Sequence, residues 1–113
     1  MDAASARRDE AEAQYGQTVL RALQDVETSL SRYRTARVRV ERIQDAATAS
    51  ERAAELARLR FTGGVADFLQ VLDAERTQLD AENQLAQAHT DAATAYAALF
   101  KALGGNAPSV DNQ

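Results

Sequence analysis

Four sets of residues in this sequence belong to types that carry chemistry: His89, the carboxylates Asp67, Asp73 and Glu75, the pair Gly63-Gly64, and an arginine run. A catalytic or metal-binding imidazole needs partners. His89 is the only histidine and cysteine is absent, so no second His or Cys stands at metal-ligand spacing. The lack of cysteine also removes disulfides and thiol chemistry. Paired carboxylates act as general acid and base where a dry pocket shifts their pKa values, and nothing around Asp67, Asp73 and Glu75 builds one. A phosphate-cradling loop needs further glycines and a following Lys-Ser or Lys-Thr, which Gly63-Gly64 lacks. No serine sits in a nucleophile motif. The residues therefore point away from an enzyme, with no catalytic, cofactor-binding or metal-ligating set.

The arginines are Arg32, Arg34, Arg37, Arg39 and Arg42. On a helix they spread around much of the circumference with few acids nearby, which reads as a solvated or partner-facing surface rather than a phosphate site. The net charge is -4 and the two signs are mixed along the chain. A nucleic-acid surface would carry a basic stripe, so no nucleic-acid partner is expected.

If these residues do no covalent chemistry, the elements that hold them carry the function. The 113 residues suffice for one small domain. Alanine fills 25 positions, Phe and Tyr number three each, and Trp is absent. A thick core cannot be built from so few large apolar side chains. Narrow helix-on-helix seams fit this composition, because alanine lets two backbones approach closely. No apolar run nears the ~18 to 20 residues that span a bilayer. The opening MDAASARRDEAEAQ lacks the apolar centre of a secretory signal.

The apolar periodicity predicts two long helices. Val19, Val26, Tyr33, Val40, Ala47, Ala54 and Phe61 recur every seven residues. Leu23 and Leu30 accompany them at +4, and Ala36, Ile43, Ser50 and Ala57 at +3. The change of flank near residue 33 suggests contact with more than one neighbouring helix. Helix formers fill the other positions, with Gly16 the weak point. The expected first helix covers about residues 5–61, some 85 Å at ~1.5 Å per residue. In the second segment Val65, Leu72, Leu79, Ala86, Ala93 and Phe100 repeat by seven, flanked by Phe68, Leu69, Leu85, Tyr96, Leu99 and Leu103. These are expected to form its seam. The expected second helix covers about residues 66–103, stopped by Gly104-Gly105 with Pro108 beyond, and 106–113 read as a disordered tail.

Between them lies a turn over 62–65, where one glycine adopts the left-handed conformation that closes the first helix. Asp67 is placed to meet the free N–H groups at the start of the second. So short a connection makes the helices antiparallel neighbours. The expected fold is all-α, a long antiparallel helical hairpin of coiled-coil type over residues 1–105, with unequal arms. Tyr15, Val19, Leu23 and Val26 then form an apolar stripe facing no other segment.

The stretch LARLRFTGGVADFLQVLDAERTQLDAENQLAQAHTDAATAYAALFKALGG resembles the C-terminal part of outer membrane efflux proteins, the TolC-like outer membrane factors, close to their lipoprotein branch. That family carries a turn of the form aromatic-x-x-Gly, then x-x-(Asp/Ser/Thr)-hydrophobic-Leu-x-Val-Leu-Asp-Ala. Phe61, Gly64, Asp67, Phe68, Leu69, Val71, Leu72, Asp73 and Ala74 supply it in order. Upstream, YGQTVLRALQDVETSLSRY is similar to the family's Tyr-x-x-x-Val-Leu-x-Ala-Leu-x-(Asp/Glu)-Val-Glu helix, and the match covers about residues 10–105. The first half of the family's chain, its β-strands and its signal or lipidation sequence have no counterpart here.

The resemblance implies a homotrimeric tunnel from the outer membrane through the periplasm, joined by a periplasmic adaptor to an inner-membrane pump in a tripartite efflux system. It implies that this hairpin points its turn at the periplasmic tip, with Arg60, Thr62, Gly63, Gly64, Val65 and Asp67 at the tip and adaptor contact. It further implies that Gln70 and Asp73 lie by the pore constriction, where relatives place a ring of acidic side chains. Gln70 stands where some relatives are acidic, so this ring carries less charge. From the residues alone, Asp67 remains either a helix cap or an adaptor contact, and Asp73 either a constriction residue or a solvated carboxylate. A self-contained helical-hairpin scaffold is the alternative reading.

Overall fold

The computed structural model describes residues 2–105; the expected tail at 106–113 lies outside them. Two helices account for nearly all of this length: α1, Asp2–Thr62, and α2, Phe68–Gly105. Among the described residues there is no strand, and the fold is an all-α helical hairpin. Uninterrupted runs of Ala, Arg, Glu, Gln and Leu explain the length, since each adds a good helix former and none removes a backbone donor. Helix α1 starts at Asp2, three residues before the position expected from sequence, and α2 starts at Phe68 rather than 66. The glycines at 104 and 105 stay within α2, whereas the pattern placed its end at 103. Glycine lowers helix stability without forbidding it, and Gly64 is the only glycine with positive φ among the described residues.

Two compact units divide these helices, residues 34–94 and the remainder. The fully buried residues all belong to the first: Ala47, Ser50 and Ala54 on α1, and Val71, Ala88 and Ala92 on α2. Each is small, and Ala54 is 0% exposed. The only polar one, Ser50, donates its hydroxyl to the Ala47 carbonyl at 2.8 Å, so it enters the seam without an unsatisfied group. The antiparallel course shows in the cross-helix partners, Arg39 with Asp91 and Arg58 with Glu75, which run in opposite directions along the two helices.

On α1 the covered stripe follows the sevenfold repeat through Val40, Ala47 and Ala54, with Ala36, Ile43, Ser50 and Ala57 between them, whereas Phe61 at its end is exposed. On α2 the expected sevenfold column is overturned, although two of its expected flanking residues, Leu85 and Leu99, are half-buried. Val65, Leu72, Leu79, Ala86, Ala93 and Phe100 are all exposed, as are Phe68 and Leu69. The covered positions lie one residue earlier, at Val71, Gln78, Leu85 and Ala92, with Ala74, Ala81 and Ala88 between them. A one-residue step on a helix rotates the stripe by about 100°. Periodicity fixes the spacing of a seam but not which of two parallel stripes fills it. Here the alanine stripe wins because small side chains allow the closest approach, and the larger apolar stripe is left on the flank.

In the other unit, Tyr33 and Tyr96 meet edge-tilted with ring centroids 5.5 Å apart. Half-buried Leu99, Ala95 and Ala102 continue the covered stripe of α2 there. Tyr15, Val19 and Leu23 are exposed as expected, Tyr15 at 74%. Val26 departs from that group: it is half-buried, in register with Tyr33 on the covered face.

A seam made of alanines buries few methylenes, each worth about 0.8 kcal/mol, so little side-chain burial ties the two helices together. The isolated chain is therefore expected to give strong helical circular dichroism with a broad thermal transition. A sharp, concentration-independent melt of a dilute monomer would contradict this.

Candidate functional site at the helical turn

The end of α1 is closed by backbone alone. Gly64 adopts φ 76°, its N–H reaches the Phe61 carbonyl at 3.0 Å, and the Val65 N–H reaches the Arg60 carbonyl at 2.8 Å. These two bonds form a Schellman closure with Gly64 as the left-handed residue. The Gly63 N–H still makes a helical bond to the Leu59 carbonyl at 3.0 Å. Of the two glycines, Gly64 alone needs the freedom of a missing Cβ. At Gly63 an added Cβ would sit 3.4 Å from the Leu59 carbonyl oxygen, an ordinary contact. The Thr62 hydroxyl turns back to the Arg58 carbonyl at 2.9 Å, inside the helix, so Thr62 ends α1 rather than opening the turn.

Helix α2 begins with the Gln70 N–H bonded to the Asp67 carbonyl at 3.0 Å. Asp67 thus occupies the N-cap position through its main chain; its carboxylate makes no hydrogen bond to α2 among the described residues. The side-chain cap anticipated from sequence is not formed.

Two side-chain clasps hold the turn, and the sequence reading did not single them out. Phe61 and Phe68 bracket the loop with ring centroids 5.3 Å apart and planes tilted by 56°. One step inward, the Arg58 Nε donates to Glu75 Oε2 at 2.9 Å.

Arg60 and Thr62 at the end of α1, and Gly63, Gly64, Val65 and Asp67 in the turn, are all exposed. Val65 is 80% exposed, and the apolar side chains of Leu59, Leu69 and Leu72 are exposed as well. Gln70 and Asp73 follow on the first turns of α2, both exposed. Asp80 lies two helical turns beyond Asp73 on the same side and is also exposed. Of the suspected carboxylate cluster, Glu75 is taken by Arg58 and the others point to solvent. His89 is exposed. No group of three or more His, Cys, Asp or Glu able to hold a metal occurs among the described residues. No described helix is long and apolar enough to cross a membrane.

Comparison with known proteins gives the turn a setting. The family model for outer membrane efflux proteins matches residues 1–105. Outer membrane protein OprJ of Pseudomonas aeruginosa is 34% identical over 102 residues, covering 90% of this chain and 21% of the relative. A solved structure of the outer-membrane channel OprN superposes with a TM-score of 0.69 at 38% identity, covering 90% of this chain and 23% of that one. The chain therefore spans about a fifth of the length of these relatives. Residues 1–105 contain both helices and the turn between them, and the work of these relatives is transport rather than catalysis. The chain belongs to the outer membrane efflux protein family.

Proposed function

We propose that this chain is the periplasmic tunnel hairpin of an outer membrane channel in a tripartite efflux system. Its turn docks a periplasmic adaptor, which links the channel to an inner-membrane pump. The observation that carries this reading is the turn itself: a backbone-closed, doubly clasped tip that leaves Val65 and its apolar neighbours outside. A monomeric hairpin would gain nothing from such a surface, whereas a docking tip requires it. Arg60, Thr62, Gly63, Gly64, Val65 and Asp67 form the contact. Gln70 and Asp73, next along α2, border the constriction, with three copies of each contributed by a homotrimer. The exposed flank of α2, with Leu72, Leu79 and Phe100, suits packing against further helices of the tunnel wall. The site of action on this reading is the outer membrane and periplasm.

Complementation tests it. In cells deleted for their own outer membrane efflux channel, the full-length protein carrying this segment, expressed with a cognate adaptor and pump, is expected to restore drug resistance. Normal outer membrane levels with no gain in resistance would count against the reading.

A further inference from the structure

The arginine run, which the sequence reads as a solvated or partner-facing surface, is not used by the transport reading, and the structure gives part of it a different character. Arg34, Val38 and Arg42 follow one another at four-residue spacing, so their side chains form a single row on α1 about 12 Å long. Thr35 and Arg39 complete the patch alongside, four and three residues before Arg39 and Arg42 respectively. Together these five residues line a shallow, open stretch of the α1 surface.

Its charge is not balanced from within. Arg39 makes one bond, through Nη1 to Asp91 Oδ2 at 3.3 Å, and Asp91 is shared with the Gln87 amide at 3.0 Å. Arg34 and Arg42 have no carboxylate at ion-pair distance among the described residues. The acids nearest in sequence are Glu41 and Asp45, both exposed. In a chain of net charge -4, this is a local surplus of positive charge. Guanidinium groups side by side repel each other unless an anion sits between them, and their planar forks match phosphate oxygens two at a time. Val38, 45% exposed, adds an apolar floor, and the Thr35 hydroxyl adds a donor.

We propose that the Arg34–Arg42 face of α1 is a phosphate-binding site, with Arg34, Arg39 and Arg42 holding the oxyanion. Free phosphate and phosphate esters share that chemistry, and an ester would also cover Val38. The inference is independent of the transport reading, because it uses none of the turn residues.

The test is titration of the 113-residue chain with inorganic phosphate and, separately, with phenyl phosphate, following the arginine Nε–Hε resonances by NMR. A saturable shift confined to Arg34, Arg39 and Arg42 is expected, weakening as salt rises. Tighter binding of phenyl phosphate than of phosphate identifies an ester site; equal binding identifies a site for the bare ion. The double variant Arg34→Gln/Arg42→Gln should lose at least tenfold in affinity, and Arg7→Gln/Arg8→Gln should lose nothing. Arg34→Lys/Arg42→Lys, which keeps the charge but not the fork, should fall between them and serves if the glutamine variant loses helicity. The proposal is overturned by shifts that do not saturate, by equal shifts at Arg7 and Arg8, or by undiminished affinity in both double variants.

Discussion

Replacing Gly64 with valine is expected to abolish drug efflux by the full-length channel while leaving its level in the outer membrane unchanged. The reason is local. Gly64 holds φ 76°, where a β-branched side chain is a steric outlier, and such strain costs of order 1–3 kcal/mol. Relief requires the Schellman bonds from Gly64 to Phe61 and from Val65 to Arg60 to break. The turn would then reopen, the Phe61–Phe68 contact would loosen, and Val65 would lose its fixed direction. The two long helices do not depend on that residue, so assembly should survive. Gly63→Ala is the matched control. Its Cβ meets only an ordinary contact at 3.4 Å and its backbone is helical, so resistance should stay close to that of the parent. Equal resistance with Gly64→Val and Gly63→Ala would remove the turn from the mechanism.

The second large effect is expected at Asp73. If its three copies line a constriction, Asp73→Arg reverses the sign of the ring at the narrowest point, where the field of a fixed charge acts most strongly on a passing ion. Single-channel recordings of the trimer should show a severalfold loss of cation preference and altered conductance. Asp80→Arg makes the same charge change on the same side of α2, two turns further from the tip, and should do much less. Both residues are exposed, so neither substitution leaves a buried charge behind. Indistinguishable selectivity in the two variants would make Asp73 an ordinary surface carboxylate.

Much of this architecture is legible in the sequence. Heptad spacing marks two helices, and a glycine pair with Pro-free flanks marks the turn between them. On α1 the marked stripe is covered from Val26 to Ala54, and the column beside it, Ala36, Ile43, Ser50 and Ala57, is covered with it. On α2 two columns run side by side, and the eye follows the larger residues, Leu72, Leu79 and Phe100. Seam choice is a matter of approach distance, which favours Ala74, Ala81 and Ala88 and cannot be read from hydrophobicity. Capping at Asp67 is a similar case: an aspartate before a helix permits a side-chain cap without requiring one. The clasps Phe61–Phe68 and Arg58–Glu75 depend on the register between the helices, which the spacing within either helix does not give.

The most direct measurement exploits the absence of cysteine from this segment. Introduce Val65→Cys at the turn, or Gln24→Cys far along α1, into a full-length channel otherwise free of cysteine, and add a thiol-anchored photo-crosslinker in cells expressing adaptor and pump. Both positions are exposed, so both should label. A docking turn predicts a channel–adaptor adduct from position 65 and none from position 24. An adduct from position 24 with none from position 65 would contradict the assignment of the turn as the docking tip.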